Sequence, residues 1–254
     1  MDKQKSSKPN FNYFLMFPLT DETFLSKYTE IHSNIQSQNI PNFNINLLQH
    51  PKRFHITIIV LSLTTPSEIQ TVIDILNTNT QSIQDIIEDP NSLSITFDSF
   101  SSFQTDLTNA RVVYLKPLED ENHYKLSEIT HLLITELINH GIINKNDLFN
   151  YKITRKEGKY VTQPHSTFLN VSFLPKHEHV HSFNATNIMK YLNTLSLPSC
   201  AITKIHLCKM RKNNNNEEYE VVHSMPITQS HTWSRKGIGN LRMKWTTLQK
   251  SCSL

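Results

Sequence analysis

One strand pattern occurs twice in this chain, and it limits the possible folds more than any other feature. Phe54-His55-Ile56-Thr57-Ile58-Ile59-Val60 and Pro164-His165-Ser166-Thr167-Phe168-Leu169-Asn170-Val171 are both apolar runs that carry His-x-Thr. Strand side chains alternate between faces, so His55 points the same way as Thr57, and His165 the same way as Thr167. Two imidazoles and two hydroxyls can then line one groove. That set suits a phosphodiester: a neutral histidine takes a proton, a protonated one gives a proton, and two hydroxyls hold the non-bridging oxygens. The structural alternative is a pair of half-buried, hydrogen-bonded histidines, which has weight in a chain with 13 histidines.

The flanking pattern repeats with the motifs. Residues 10–19 are aromatic-rich and apolar on both alternating faces, which predicts a strand central in a sheet. Thr20-Asp21-Glu22-Thr23 opens a helix of about four turns with Phe24, Leu25, Tyr28 and Ile31 at helical spacing. An Asn- and Gln-rich loop leads to the first motif strand over 53–63. Pro66-Ser67-Glu68 then caps a helix carrying Ile69, Val72, Ile73, Ile75 and Leu76, and 93–97 is another strand. In the second half, 110–118 is a strand, 124–140 an amphipathic helix closed by Gly141 as a left-handed cap, and 163–173 the second motif strand. A short helix over 188–192 precedes a hairpin made of 201–210 and 217–222. Strand, helix and His-x-Thr strand in each half predict an α+β architecture: two pseudo-symmetric β-sheet lobes with flanking helices around a central cleft. Alternating strands and helices suit parallel pairing, whereas the terminal hairpin requires antiparallel pairing there.

The 254 residues suit one large domain or two tightly packed lobes, and a net charge of +3 gives no whole-molecule field that announces a nucleic-acid binder. Three cysteines without a Cys-x-x-Cys pair, and an N-terminus without the apolar core of a signal peptide, predict a reducing, intracellular location in nucleus, cytoplasm or both. The sequons at Asn170 and Asn184 are then expected to stay unglycosylated, and no run is long enough to span a membrane. Residues 1–10 read as a disordered basic N-terminus, 11–227 as the folded domain, and 228–254 as a basic tail. After Glu220 no acidic residue follows, while Arg235, Lys236, Arg242, Lys244 and Lys250 are scattered among Trp233 and Trp245. Such a tail can lie along a phosphate backbone and stack on bases, or it can pack its tryptophans on the domain or remain disordered.

Lys152, Arg155, Lys156 and Lys159 approach the second motif and can steer a polyanion; solvated loop charges are the other reading. Tyr13, Phe17, Tyr151 and Tyr160 are candidates for stacking a base, with core packing the competing use, above all for Phe17. His177-Glu178-His179-Val180-His181 satisfies the metalloprotease spacing His-Glu-x-x-His. It follows a strand and Pro175-Lys176 rather than lying on a helix, and Asn184 and Asn187 occupy the later Gly and His places, so no catalytic metal is expected. With four glycines and no P-loop, the chain offers little for a backbone phosphate cradle.

Together these segments resemble the 2H phosphoesterases. The resemblance covers about Phe11 to Ile227 and rests on Asn12-Tyr13-Phe14-Leu15-Met16-Phe17-Pro18-Leu19, on both motifs, on residues 183–190 and on residues 205–210. Within the superfamily it looks like the branch holding the nuclear-localisation-signal domain of A-kinase anchoring protein 7 and the C-terminal domain of activating signal cointegrator 1 complex subunit 1. The KH module of cointegrator members is not expected here, where only residues 1–10 precede the resemblance. The resemblance implies a bilobal LigT-like fold and a phosphodiesterase that needs neither metal nor cofactor. His55 and His165 would be its general acid and base, and Thr57 and Thr167 its phosphate ligands. The implied substrates are RNA-derived: 2′,5′-oligoadenylate, an RNA 3′ end or a cyclic nucleotide phosphate. A ribose hydroxyl as attacker gives a cyclic phosphate, and water gives a linear one. An unperturbed histidine pKa near 6.5 predicts a bell-shaped rate profile around neutrality. The expected enzyme is a monomer with RNA or an oligonucleotide as its partner. The alternative is a non-catalytic RNA- or nucleotide-binding adaptor among the protein partners of an RNA-processing, transcription-coactivator or repair complex, a role with no physical need for both histidines.

Overall fold

The computed structural model describes residues 9–227 apart from 39, 42, 90–92, 176, 178 and 211–217. The expectations for residues 1–8 and for the tail over 228–254, with Trp233 and Trp245, lie outside the described residues. In chain order the elements are β1 (Tyr13–Pro18), α1 (Glu22–Ser37), β2 (His55–Leu61), α2 (Pro66–Thr78), α3 (Thr80–Ile87), β3 (Ser94–Ile95), β4 (Phe97–Ser102), β5 (Val112–Pro117), α4 (Glu121–Asn139), β6 (Thr154–Lys156), β7 (Lys159–Val161), β8 (Ser166–Asn170), α5 (Thr186–Leu192), β9 (Cys200–Ala201), β10 (Lys204–Lys209) and β11 (Glu220–Pro226).

Local chemistry sets the boundaries. Asp21 caps α1 by accepting from the Phe24 N–H at 3.0 Å, and Thr65 with Glu68 forms a reciprocal capping box at α2. Gly141, at φ +73°, ends α4 in the left-handed conformation that its missing Cβ permits.

Every named strand pair is antiparallel. This corrects the expectation of parallel pairing that the strand–helix alternation carried. The helices do not return each strand to a parallel neighbour; α1 and α4 cross to the other lobe, while α2 stays against β11 of its own sheet. One sheet has the order β11-β10-β1-β2 and the other β4-β5-β8, with two-stranded β3-β9 and β6-β7 beside them. β1 is central, as its two apolar faces require. Both motif strands, β2 and β8, are edge strands, and the two edges lie against one another.

Two covering helices, α1 and α4, exchange lobes. From α1, which follows β1, Tyr28 meets Phe168 of β8 with ring centroids 5.4 Å apart, and Phe24 meets Phe97 of β4 at 5.7 Å. From α4, which follows β5, Leu126 and Thr130 line one narrow crevice with Phe17 and Ile56 of the first sheet. Phe54, just ahead of β2, closes the aromatic group at the junction, 4.4 Å from Tyr28. Burying these rings supplies the main attraction between lobes, and their edge-on packing adds about 0.5–1.5 kcal/mol per pair.

Phe168 is fully buried and touches Tyr28, Phe54 and Phe100. Phe168→Ala should cost about 3–5 kcal/mol in urea unfolding, against less than about 0.5 kcal/mol for Phe149→Ala at a residue that is 91 % exposed.

Candidate active site

His55 opens β2, and Thr57 follows on the same face. The Nδ1 of His55 lies 2.7 Å from the Arg53 carbonyl. A carbonyl only accepts, so Nδ1 carries the proton, and in the neutral ring Nε2 is left as an acceptor. The Thr57 hydroxyl, 3.1 Å away, donates to it. Phe14 and Tyr219 pack against the imidazole, each at 5.3 Å between ring centroids, and the Arg53 guanidinium carbon lies 5.8 Å from the Tyr219 ring.

The second motif repeats the device. His165 Nδ1 donates to the Gln163 carbonyl at 2.9 Å, which again frees Nε2 for chemistry. Tyr114 and Phe103 take the places that Phe14 and Tyr219 hold in the first lobe, at 5.4 and 5.0 Å from the ring. Thr167 pairs across β5 with Tyr114, so hydroxyl, phenol and imidazole share one face of that sheet. Ser166, between the motif residues, turns into the core and is fully buried.

Burial pushes His55 from 6.5 down to about 4; the bond to the Arg53 carbonyl opposes this, and the charge of His165 adds to the lowering. That coupling places the two imidazoles within electrostatic reach across the junction of β2 and β8. His165 is also lowered by burial, against its bond to Gln163, and the Lys152 ammonium pushes it further in the same direction. Without a bound anion both rings are therefore neutral at neutral pH, which moves the expected profile to the acid side of neutrality. A third histidine shares the first sheet's cleft face. His206 is cross-strand from Met16, which is itself cross-strand from Thr57, and burial lowers it to about 4.

The other candidates sort clearly. Tyr13 and Phe17 lie on the opposite face of β1 from Phe14 and pack into the main core, with Phe17 1 % exposed. This corrects their assignment as base-stacking residues: β1 is apolar on both faces, so its pattern could not say which one looks into the cleft. Tyr151 is likewise a buried core residue, edge-on to Phe11 at 5.2 Å. Tyr160 is buried at α4, 5.7 Å from His131. Arg155 donates to the Gly158 carbonyl and lies over Tyr160, Lys159 pairs with Glu128, and Lys156 is exposed on the β6–β7 hairpin. Of the basic run, Lys152 is the one whose charge acts on His165. The described part of the His177–His181 stretch contains no α-helix, and among the described residues no three His, Cys, Asp or Glu side chains group as metal ligands. No described helix is long and apolar enough to cross a membrane.

The depressed histidines leave a mark on stability. Between pH 6.5 and about 4 the unfolded chain takes up protons at His55 and His206 that the folded chain does not, and the lowered His165 acts in the same sense, so stability falls as pH falls through that window. Urea midpoints at pH 7 and pH 4.5 should differ in this sense, and His55→Gln should reduce the difference.

The domain profile described as "AKAP7 2'5' RNA ligase-like domain" matches residues 11–227. Among curated proteins none matches the sequence. Two solved structures share the fold. LigT of E. coli in its apo form has a TM-score of 0.50 at 15% identity, covering 88% of this chain and 100% of its own. TT0787 of Thermus thermophilus has a TM-score of 0.51 at 10% identity, covering 87% of this chain and 100% of its own. The mirrored His-x-Thr edges therefore stand on a LigT-like scaffold, and the chain belongs to the AKAP7 2'5' RNA ligase-like domain family of 2H phosphoesterases.

Proposed function

We propose that this protein is a phosphodiesterase that cleaves RNA-derived phosphodiesters by general acid–base catalysis at His55 and His165, without a metal ion. The observation that carries this reading is the matched pair of tautomers: each motif histidine spends its Nδ1 proton on a backbone carbonyl and so presents Nε2 to the cleft. A phosphodiester anion between the rings offsets the burial that keeps them neutral, so one ring regains its proton on binding. His55, the more strongly depressed, is the base. Its Nε2 takes the proton of the attacking hydroxyl as the new O–P bond forms. His165 gives its Nε2 proton to the oxygen leaving as the opposite P–O bond breaks. Thr57 and Thr167 hold the non-bridging oxygens, each by a hydroxyl beside its histidine.

Phe103 supports a nucleotide substrate. It is 44% exposed, stacks on Tyr114 at 4.4 Å and stands edge-on to His165, where its open face can take a base. Candidate bonds are those of 2′,5′-oligoadenylate, an RNA 3′ end and a cyclic nucleotide phosphate.

The test is mass spectrometry of products from matched 2′,5′- and 3′,5′-linked oligonucleotides in EDTA. Wild type should cleave at least one linkage, and His55→Ala and His165→Ala should each lose at least about 100-fold in rate. Intact oligonucleotides throughout, still bound by the wild type, would replace catalysis with an adaptor role. With a base near 4 and an acid below 6.5, kcat/KM should peak on the acid side of neutrality, between those values. A pH profile on the cleaved linkage reads this directly.

A further inference from the structure

Beside the catalytic cleft lies a cavity of about 570 Å³ that the acid–base chemistry does not use. Its walls come from the second half of α1 (His32, Gln36), from the segment leading into β2 (Gln49, His50, Arg53) and from Phe173 just past β8. The volume falls within the range of small-molecule sites, ~300–1,000 Å³. Among the described residues lining it none is acidic.

Three features make this a built site. Its inner wall is held from both sides: the Gln49 N–H donates to the Phe168 carbonyl at 2.9 Å, and the buried Tyr28 hydroxyl donates to the Gln49 carbonyl. Burial lowers the pKa of His32, and the charge of the neighbouring His50 lowers it further, a penalty that an anion beside His32 would relieve. Arg53 joins the cavity to the chemistry. It lines the cavity, its carbonyl fixes His55 Nδ1, and its guanidinium lies over Tyr219, which packs on His55. Arg53 lies two positions before His55 in the chain, a Cα span of at most ~7 Å. A phosphodiester held at His55 therefore has the next phosphate along the chain within reach of the cavity.

We propose that this cavity is a second nucleotide subsite. It receives the nucleotide next along the chain beyond the two that the scissile phosphodiester joins, with its phosphate facing His32, His50 and Arg53, and its base against Gln36 and Phe173. The inference rests on the phosphodiesterase reading above and extends it from a single bond to an oligonucleotide at least three units long.

The test compares kcat/KM for a cleavable dinucleotide with that for the same dinucleotide extended by one unit at each end in turn. Extension at one end should raise kcat/KM about tenfold, the equivalent of one good polar contact set. Gln36→Glu, a change at an exposed helix position that places a negative charge in the cavity, should return that ratio to near one. Cleavage that ignores length at both ends would overturn the subsite and leave the phosphodiesterase intact. Should no oligonucleotide be cleaved, the phosphodiesterase reading falls, and fluorescence anisotropy of labelled di- and trinucleotides then decides the subsite. Affinity that rises with length and is lost in Gln36→Glu keeps it as a binding site; equal affinities remove it.

Discussion

The hydrogen bond from the Gln49 N–H to the Phe168 carbonyl, 2.9 Å long, ties the segment ahead of one motif strand to the other motif strand. Leu48 extends the contact by an antiparallel bridge to Leu169. A backbone bond of this kind contributes only about 0.5–1.5 kcal/mol net, but it fixes register, and register decides which side chains face a cleft. If β2 slid by one residue along this seam, His55 and Thr57 would turn into the core and Ile56 and Ile58 would face water. The burial of Phe54, Tyr28 and Phe168 around the same point makes that slip expensive.

The depressed histidines follow from the same arrangement. An edge strand normally offers its unpaired backbone to solvent or to a neighbouring molecule. Here the two motif edges confront one another, and each imidazole is flanked by two aromatic rings. Apolar surroundings disfavour the imidazolium, so burial lowers the pKa of both rings.

Much of this was legible in the chain. The shared faces of the two His-x-Thr motifs, the central place of β1, the capping of α1 and α2 and the left-handed Gly141 all follow from local spacing and local chemistry, which sequence records directly. What escaped depends on contacts between distant segments. Phe14 looked no different from Tyr13 or Phe17 until the sheet's cleft face was known. Tyr219 reaches His55 only because β11 pairs with β10, and Phe103 reaches His165 through the β4–β5 pairing. The basic run before His165 read as a loop, since β6 and β7 are three residues each; the positive φ angles of Glu157 and Gly158, +52° and +82°, form the tight turn that folds it back on itself. The basic side chains are thereby spent on Tyr160, Glu128 and solvent.

The exchange of helices between lobes bears on how a ligand could enter. Two-lobed enzymes commonly admit substrate by swinging one half against the other about a few hinge residues. In this fold α1 is anchored on the second sheet and α4 on the first, so a swing would strip the cover from both cores at once. The parts of the cleft wall outside those cores include the Phe103 ring, 44% exposed beside His165. A lobe arrangement locked in this way fixes the separation of the two imidazoles, because neither sheet can move without uncovering the core of the other.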